Sequence, residues 1–305
     1  MSVTEIRAEV FTKLPDALHI SGQPSTWVDA NKPGGDVPSF LEGPSFDKDG
    51  NIWCVDIPWG RIFKITPSGE WSVGAEYDGW PNGLRILPDG TIQIADYKRG
   101  IVMLDPKTGE TRDRFSSNRS EGFKGCNDLF FGADGTLYFT DQGTTGLHDP
   151  TGRVYRVAPG TETLEQLIGN GPSPNGLVTS LGDKVLYVAM TRAQQVWRVP
   201  LFPGGTVKVG LFARLPAGVI GPDGMALDEK GNLYVCHASR GRIYAFNEHG
   251  EELLTVDCSH IGRTTTNLAF GGENNSELFI TVSDAGVIAR AKMPVPGRPM
   301  YSHTG

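Results

Sequence analysis

Six positions of this 305-residue chain open the same short phrase. Glu42, Asn82, Asn127, Asn175, Asp223 and Asn267 each begin a polar head, an apolar run, a tight turn and a second apolar run. They recur at intervals of 40 to 48 residues. A repeat of that length built from short strands predicts a β-propeller in which each repeat is one blade. The expected fold is therefore all-β: a six-bladed propeller of four-stranded antiparallel blades. A propeller turns the same position of every blade toward one axis. Each head carries a side-chain oxygen, so the repeat predicts a ring of oxygens around a single channel.

Blade one sets the pattern. Gly43 to Phe46 reads as the inner strand, and Asp47-Lys48-Asp49-Gly50 as a turn whose Asp-Gly tolerates positive φ. Ile52 to Asp56 is the second strand, and Gly60 to Ile65, alternating with period two, the third. The fourth is Glu70 to Ala75, at the rim. The turns recur at Pro88-Asp89-Gly90, Ala133-Asp134-Gly135 and Glu229-Lys230-Gly231. Gly 40 and Pro 21 in the composition suit a chain of many tight turns, and neither is clustered as in a disordered tract.

The blades fill residues 41–292 without a linker, so residues 1–305 read as a single domain. Blade six reaches Lys292 without a fourth strand of its own. Val10 to Pro15 echoes Leu211 to Pro216, a rim segment of blade four. Segment 1–17 is therefore expected to supply the missing strand and close the ring in the last blade, protecting otherwise open edges. Residues 18–40, with Pro24, Trp27, Pro33 and Gly34-Gly35, leave the repeat and form either a lid loop near the channel mouth or a surface excursion. Residues 293–305 form a Pro-rich tail.

Net charge is −7 with no basic stripe, which argues against nucleic acid. No run is long and apolar enough to cross a membrane. Met1 to Ile20 lacks a charged-then-apolar leader pattern. Cys54, Cys126, Cys236 and Cys258 form no C-x-x-C pair and no disulfide framework. The expectation is a cytoplasmic protein, with Cys54 and Cys236 as buried thiols. The sequence leaves the oligomeric state open.

Among the heads, Glu42, Asn127, Asn175 and Asp223 supply two carboxylates and two amides. Hard cations take oxygen ligands of this kind, and two carboxylates neutralise a divalent ion. No thiolate or multi-histidine zinc pattern is present. A divalent metal is expected, Ca²⁺ foremost, with Zn²⁺, Mn²⁺ and Mg²⁺ admitted. Asn-Gly and Asp-Gly are also hairpin signals. Here, however, each head precedes an apolar strand and a separate turn follows. Glycine follows four heads (Gly43, Gly83, Gly176, Gly224), as close packing at an axis requires. Asn82 and Asn267 are read as axial neighbours outside the ligand set, and Asp128 as a carboxylate behind it.

Leu41-Glu42-Gly43-Pro44, Asn127-Asp128, Pro174-Asn175-Gly176-Leu177 and Gly221-Pro222-Asp223-Gly224-Met225 resemble the senescence marker protein (regucalcin)/gluconolactonase family of six-bladed propellers. The resemblance covers about residues 40 to 290, judged by the repeat. It implies a metal-dependent lactonase with the ion in the channel, held at Glu42, Asn175 and Asp223. It also implies that Asn127 contacts substrate or, as in phosphotriesterase-type relatives, metal. Regucalcin-like enzymes carry a sugar-contacting arginine two residues before that asparagine, where this chain has Gly125. Lys124 is the nearest substitute, and a non-sugar lactone becomes plausible.

The expected function is hydrolysis of a sugar or sugar-like lactone, with the metal polarising the carbonyl and a carboxylate activating water. Asp223 is the first candidate base and ligand. Asp141, at the end of a second strand, is the second candidate, or else a strand-end carboxylate capping a turn as at Asp56 and Asp96. Loops on the same face carry Lys124, Gln142, His148 and Arg192, which with Asn127 are the candidate substrate contacts. They also carry Trp59, Trp80, Tyr97 and His237. The alternatives are hydrolysis of phosphotriesters or aryl esters, and a non-catalytic propeller pinned by its ion.

Overall fold

The computed structural model describes residues 4–303; the first three residues of the expected closing segment and the last two of the tail lie outside the described residues. Six sheets radiate from one axis, each lined at the centre by the strand that opens with a head: Leu41–Phe46, Pro81–Ile86, Cys126–Phe131, Pro174–Thr179, Pro222–Leu227 and Thr265–Gly271. Each inner strand pairs antiparallel with the next in sequence, and so outward to the rim.

Apolar side chains of neighbouring blades interlock in six clusters, one at each junction. The junction of the last blade with the first packs Leu14, Phe46, Phe63 and Phe279 together. That junction is also tied by hydroxyls: Thr266 Oγ1 donates to the Leu41 carbonyl at 2.9 Å, and Ser283 Oγ donates to the same oxygen at 2.5 Å. All four cysteines are buried free thiols. No helix among the described residues is long and apolar enough to cross a membrane.

The ring closes through the N-terminal segment, in two pieces rather than one. Glu9–Lys13 pairs antiparallel with Val287–Lys292 and completes the last blade. Thr4–Arg7 instead runs parallel to Glu252–Asp257 and gives blade five a fifth strand. Ala8 sits at the crossing, buried, with its amide donating to the Asp257 carbonyl at 3.0 Å. The segment thus staples two blades.

The tail crosses the far end of the channel. Gly297 bridges Asp228 of blade five. Arg298 reaches blade four, where Nη1 donates to the Thr179 carbonyl at 2.9 Å and Nη2 approaches Asp183 Oδ1 at 3.3 Å. Tyr301 stacks on Phe131 of blade three with centroids 5.0 Å apart. Ser302 Oγ donates to the Phe46 carbonyl of blade one at 3.0 Å. Only about 60 Å³ of space remains between Pro299, Met300 and the inner-strand residues Pro44, Phe130, Met225 and Leu268.

Candidate functional site

Each inner strand breaks register with its neighbour at its head. The shifts fall between Glu42 and Ser45, Pro81 and Gly83, Cys126 and Leu129, Pro174 and Leu177, Pro222 and Met225, and Thr265 and Leu268. Such a bulge frees a residue from the ladder and re-aims its side chain. Pro81, Pro174 and Pro222, which lack an N–H, stand immediately before three of the heads. Glycine after a head leaves room for the next blade: a Cβ on Gly176 would collide with the Asp223 carbonyl, and one on Gly224 with the Asn267 side chain.

The heads open onto a cavity of about 890 Å³ at the channel mouth. Glu42, Asn82, Asn127, Asn175 and Asp223 line it together. Asn267 does not; it is buried beneath, and its amide donates to Glu42 Oε2 at 2.9 Å and to Asp128 Oδ2 at 3.3 Å. The two heads set aside from sequence therefore differ: Asn82 borders the cavity, while Asn267 ties two carboxylates from behind.

Electrostatics single out the same patch. Burial pushes the Glu42 carboxyl well above its ordinary range, with Asp223 and Asp128 pushing it further. Asp223 is raised in the same way, by burial and then Asp128, against an Asn175 hydrogen bond and the Arg192 charge. Asp128 is raised by burial, and Arg85 opposes the rise. Two buried carboxylates that resist ionising, beside amide oxygens and with Asp128 behind them, suit a divalent cation, whose charge reverses those costs. Among the described residues no three His, Cys, Asp or Glu side chains form a metal cluster. The candidate donor set is instead two carboxylates with amides.

Asn127 is fixed by a polar chain. Its amide nitrogen donates to Gln142 Oε1 at 2.9 Å, and Gln142 Nε2 donates to Ser173 Oγ at 3.0 Å. Gln142, His148, Arg192, Trp80 and Tyr97 line the cavity. Lys124 does not; its Nζ donates to Thr151 Oγ1 at 3.0 Å. Asp141 is fully buried off the cavity wall, accepting from the Gly125 amide at 2.8 Å and from Arg153 Nε at 2.6 Å. Asp56 does the same work in blade one, with Phe40 N and Arg61 as its donors. Both carboxylates pin a loop to a strand end. Trp59 donates to the Val37 carbonyl, and the His237 ring meets the Pro216 carbonyl; neither lines the cavity. Burial lowers the pKa of His237.

Residues 18–40, expected as either a lid loop near the channel mouth or a surface excursion, border the cavity, through a helix that sequence reasoning missed. A short helix, α1 (Thr26–Asn31), starts where Ser25 Oγ accepts from the Val28 amide at 3.4 Å. It buries Trp27 and Val28 against blades one and two. Trp27, Ala30, Asn31, Lys32 and Phe40 border the cavity from there. The available signal was the capping serine ahead of Trp27-Val28.

Comparison with known proteins bears on the family and the fold. The model of the SMP-30/gluconolactonase/LRE-like region matches residues 40–284. Lactonase drp35 of Staphylococcus aureus strain MW2 is 31% identical over 254 residues, 78% of this chain and 76% of the relative. Lactonase drp35 of Staphylococcus epidermidis is 30% identical over 260 residues, 80% of this chain and 78% of the relative. Among solved structures, a calcium-binding protein, regucalcin, from Agrobacterium tumefaciens superposes with a TM-score of 0.76 at 21% identity, covering 98% of this chain and 99% of that one. A gluconolactonase from Xanthomonas campestris gives 0.74 at 19%, covering 92% and 98%. At those identities the structures speak for the fold.

Proposed function

The chain belongs to the SMP-30/gluconolactonase/LRE-like family, and from that premise we propose that it is a divalent-metal-dependent lactonase that opens a small cyclic ester to its hydroxy acid. The observation that carries this reading is the pair of buried, pKa-raised carboxylates, Glu42 and Asp223, at the floor of the cavity beside Asn127 and Asn175. The named relatives are lactonases, and one structural neighbour is a calcium-binding protein. Glu42, Asn127, Asn175 and Asp223 would hold a divalent ion, Ca²⁺ in the first instance, which would supply a Lewis acid for the ester carbonyl and lower the pKa of water.

The chain's own residues do the rest. Asp223 takes the proton of the attacking water as its oxygen bonds to the carbonyl carbon. The same carboxyl returns that proton to the departing ring oxygen as the C–O bond breaks, so the proton count balances. Asn267 and the Gly43 amide, the latter at 2.6 Å, hold Glu42 in place. Gln142 and Ser173 hold Asn127, and Arg192 and His148 stand at the rim as substrate contacts. Asp141 has a positioning role through Gly125, and residues 18–40 act as a lid on a single-domain protein.

The test is proton release from a panel of 1,4- and 1,5-lactones, with and without chelator. Hydrolysis should be chelator-sensitive and should fall by about 10²- to 10⁴-fold in Asp223→Ala. Full activity in that variant overturns the mechanism.

A further inference from the structure

The cavity has two chemically different sides, and resting on the lactonase reading, this difference names the substrate class. Blades one and two with α1 contribute four aromatic rings, Trp27, Phe40, Trp80 and Tyr97, with Asn31, Lys32 and Asn82 among them. Their rings pair across the wall: Trp27 with Phe40 at 5.1 Å, and Trp80 with Tyr97 at 6.1 Å. Blades three and four line the cavity with no Trp, Tyr or Phe; their side chains there, Gln142, Ser173 and Arg192 among them, are mostly polar, Leu147 excepted. The acidic floor lies between the two.

Gly125 leaves room for the Tyr97 ring on the aromatic side. Its φ is +146°, and a Cβ there would stand 2.6 Å from the Tyr97 ring. No side chain at 125 can reach the cavity without displacing Tyr97. The space that a side chain at 125 would occupy is filled by the face of the Tyr97 ring. A hydroxyl pressed against that face would lose its water without gaining a partner. An alkyl or aryl group there would leave water for an apolar surface.

We infer that Tyr97 and Trp80 form a specificity wall, and that the substrate is a lactone carrying an apolar substituent rather than a polyhydroxylated aldonolactone. The substituent lies on the Tyr97–Trp80 wall while the ester lies over Asp223.

A homologous series of γ-lactones, from γ-butyrolactone to γ-nonalactone, tests this with glucono-1,4-lactone as the polyhydroxylated comparison. For the intact protein KM should fall about 3- to 4-fold per methylene until the wall is covered. Trp80→Ala and Tyr97→Ala should flatten that dependence, so that KM no longer falls with chain length. Tyr97→Phe should retain the slope, which separates loss of the face from loss of folding. Binding of the corresponding alkyl γ-lactams, unreactive isosteres, by calorimetry reads the same wall without turnover. A KM and lactam affinity indifferent to chain length in the intact protein, or a preference for glucono-1,4-lactone, overturns the inference. Lactam affinity that rises with chain length while no lactone is hydrolysed upholds the wall and defeats the lactonase reading instead.

Discussion

The two ends of the channel are made from the same six strands and have opposite characters. At the mouth, five heads face a cavity of about 890 Å³, and buried carboxylates crowd one another. Two or three residues further along, the same strands meet the tail, and about 60 Å³ is left. There, Arg298 finds the Thr179 carbonyl and Asp183, and Met300 and Tyr301 cover apolar side chains. The mouth holds carboxylates whose charge burial disfavours, open to a cavity; the far end is closed by the chain's own tail. Strain tolerated at a site is offset elsewhere in the fold. Here the offset lies along the same axis.

Breaking each end separately sharpens that contrast. Asp223→Ala should remove about 10²- to 10⁴-fold of lactone hydrolysis while raising the melting temperature in chelator, because a carboxylate that burial disfavours is gone. A variant that loses activity and also melts lower would assign Asp223 to the fold instead. Truncation after Met293 should do the reverse. Losing the Arg298 bonds, Met300 and Tyr301 should cost about 2 to 5 kcal/mol by denaturant titration, with kcat near the intact value at low temperature. An equal loss of kcat would mean that the two ends are coupled.

Asp141→Asn tests a carboxylate that sequence alone left as a rival base. It keeps its shape but weakens the pair with Arg153, which still has Glu121 Oε1 at 2.8 Å. The expected cost is about 1 to 3 kcal/mol of stability, with kcat reduced far less than in Asp223→Ala. A loss of kcat as large as for Asp223 would restore Asp141 to the chemistry.

The acidic mouth also fixes a pH dependence. Burial raises the pKa values of Glu42 and Asp223 in the folded protein. The folded state therefore holds protons that the unfolded chain releases. Their contribution is fully present below the unfolded carboxylate pKa, about 4, and is lost as pH rises through the folded values. A cation replaces those protons, so the melting-temperature gain from saturating Ca²⁺ should grow between pH 5 and 8. A gain that is flat, or that shrinks with rising pH, would contradict a shared carboxylate site.

The heads were legible because a repeat reports its own register: six oxygens at one point of a 40- to 48-residue period leave little freedom. The register shifts behind them were not, because a bulge is a property of two paired strands and the sequence shows each strand singly. Pro81, Pro174 and Pro222 were their trace. The tail carried no period, since Pro294, Pro296 and Pro299 interrupt any regular pattern, so its path across four blades was invisible. Helix α1 spans six residues, too short for apolar periodicity to declare it. The split of the closing segment at Ala8 escaped for a similar reason: an edge strand of four residues reads like the start of its neighbour.

Lys124 marks where the reading by position ran out, and the smallest prediction follows from it. Sequence places it three residues before Asn127, on the loop that faces the mouth. Gly125 then turns the backbone through φ +146°, and the lysine points to Thr151 while Gln142 from the next loop takes up Asn127. Proximity along the chain is no guide to direction across a left-handed residue. Lys124→Met should therefore change KM by less than about 2-fold, since an exposed single hydrogen bond contributes little. Gln142→Ala should raise KM by about 3- to 10-fold by loosening the Asn127 amide. If the two effects came out reversed, the substrate would reach over the rim to Lys124, and the polar side of the cavity would extend further out than Gln142 and Ser173.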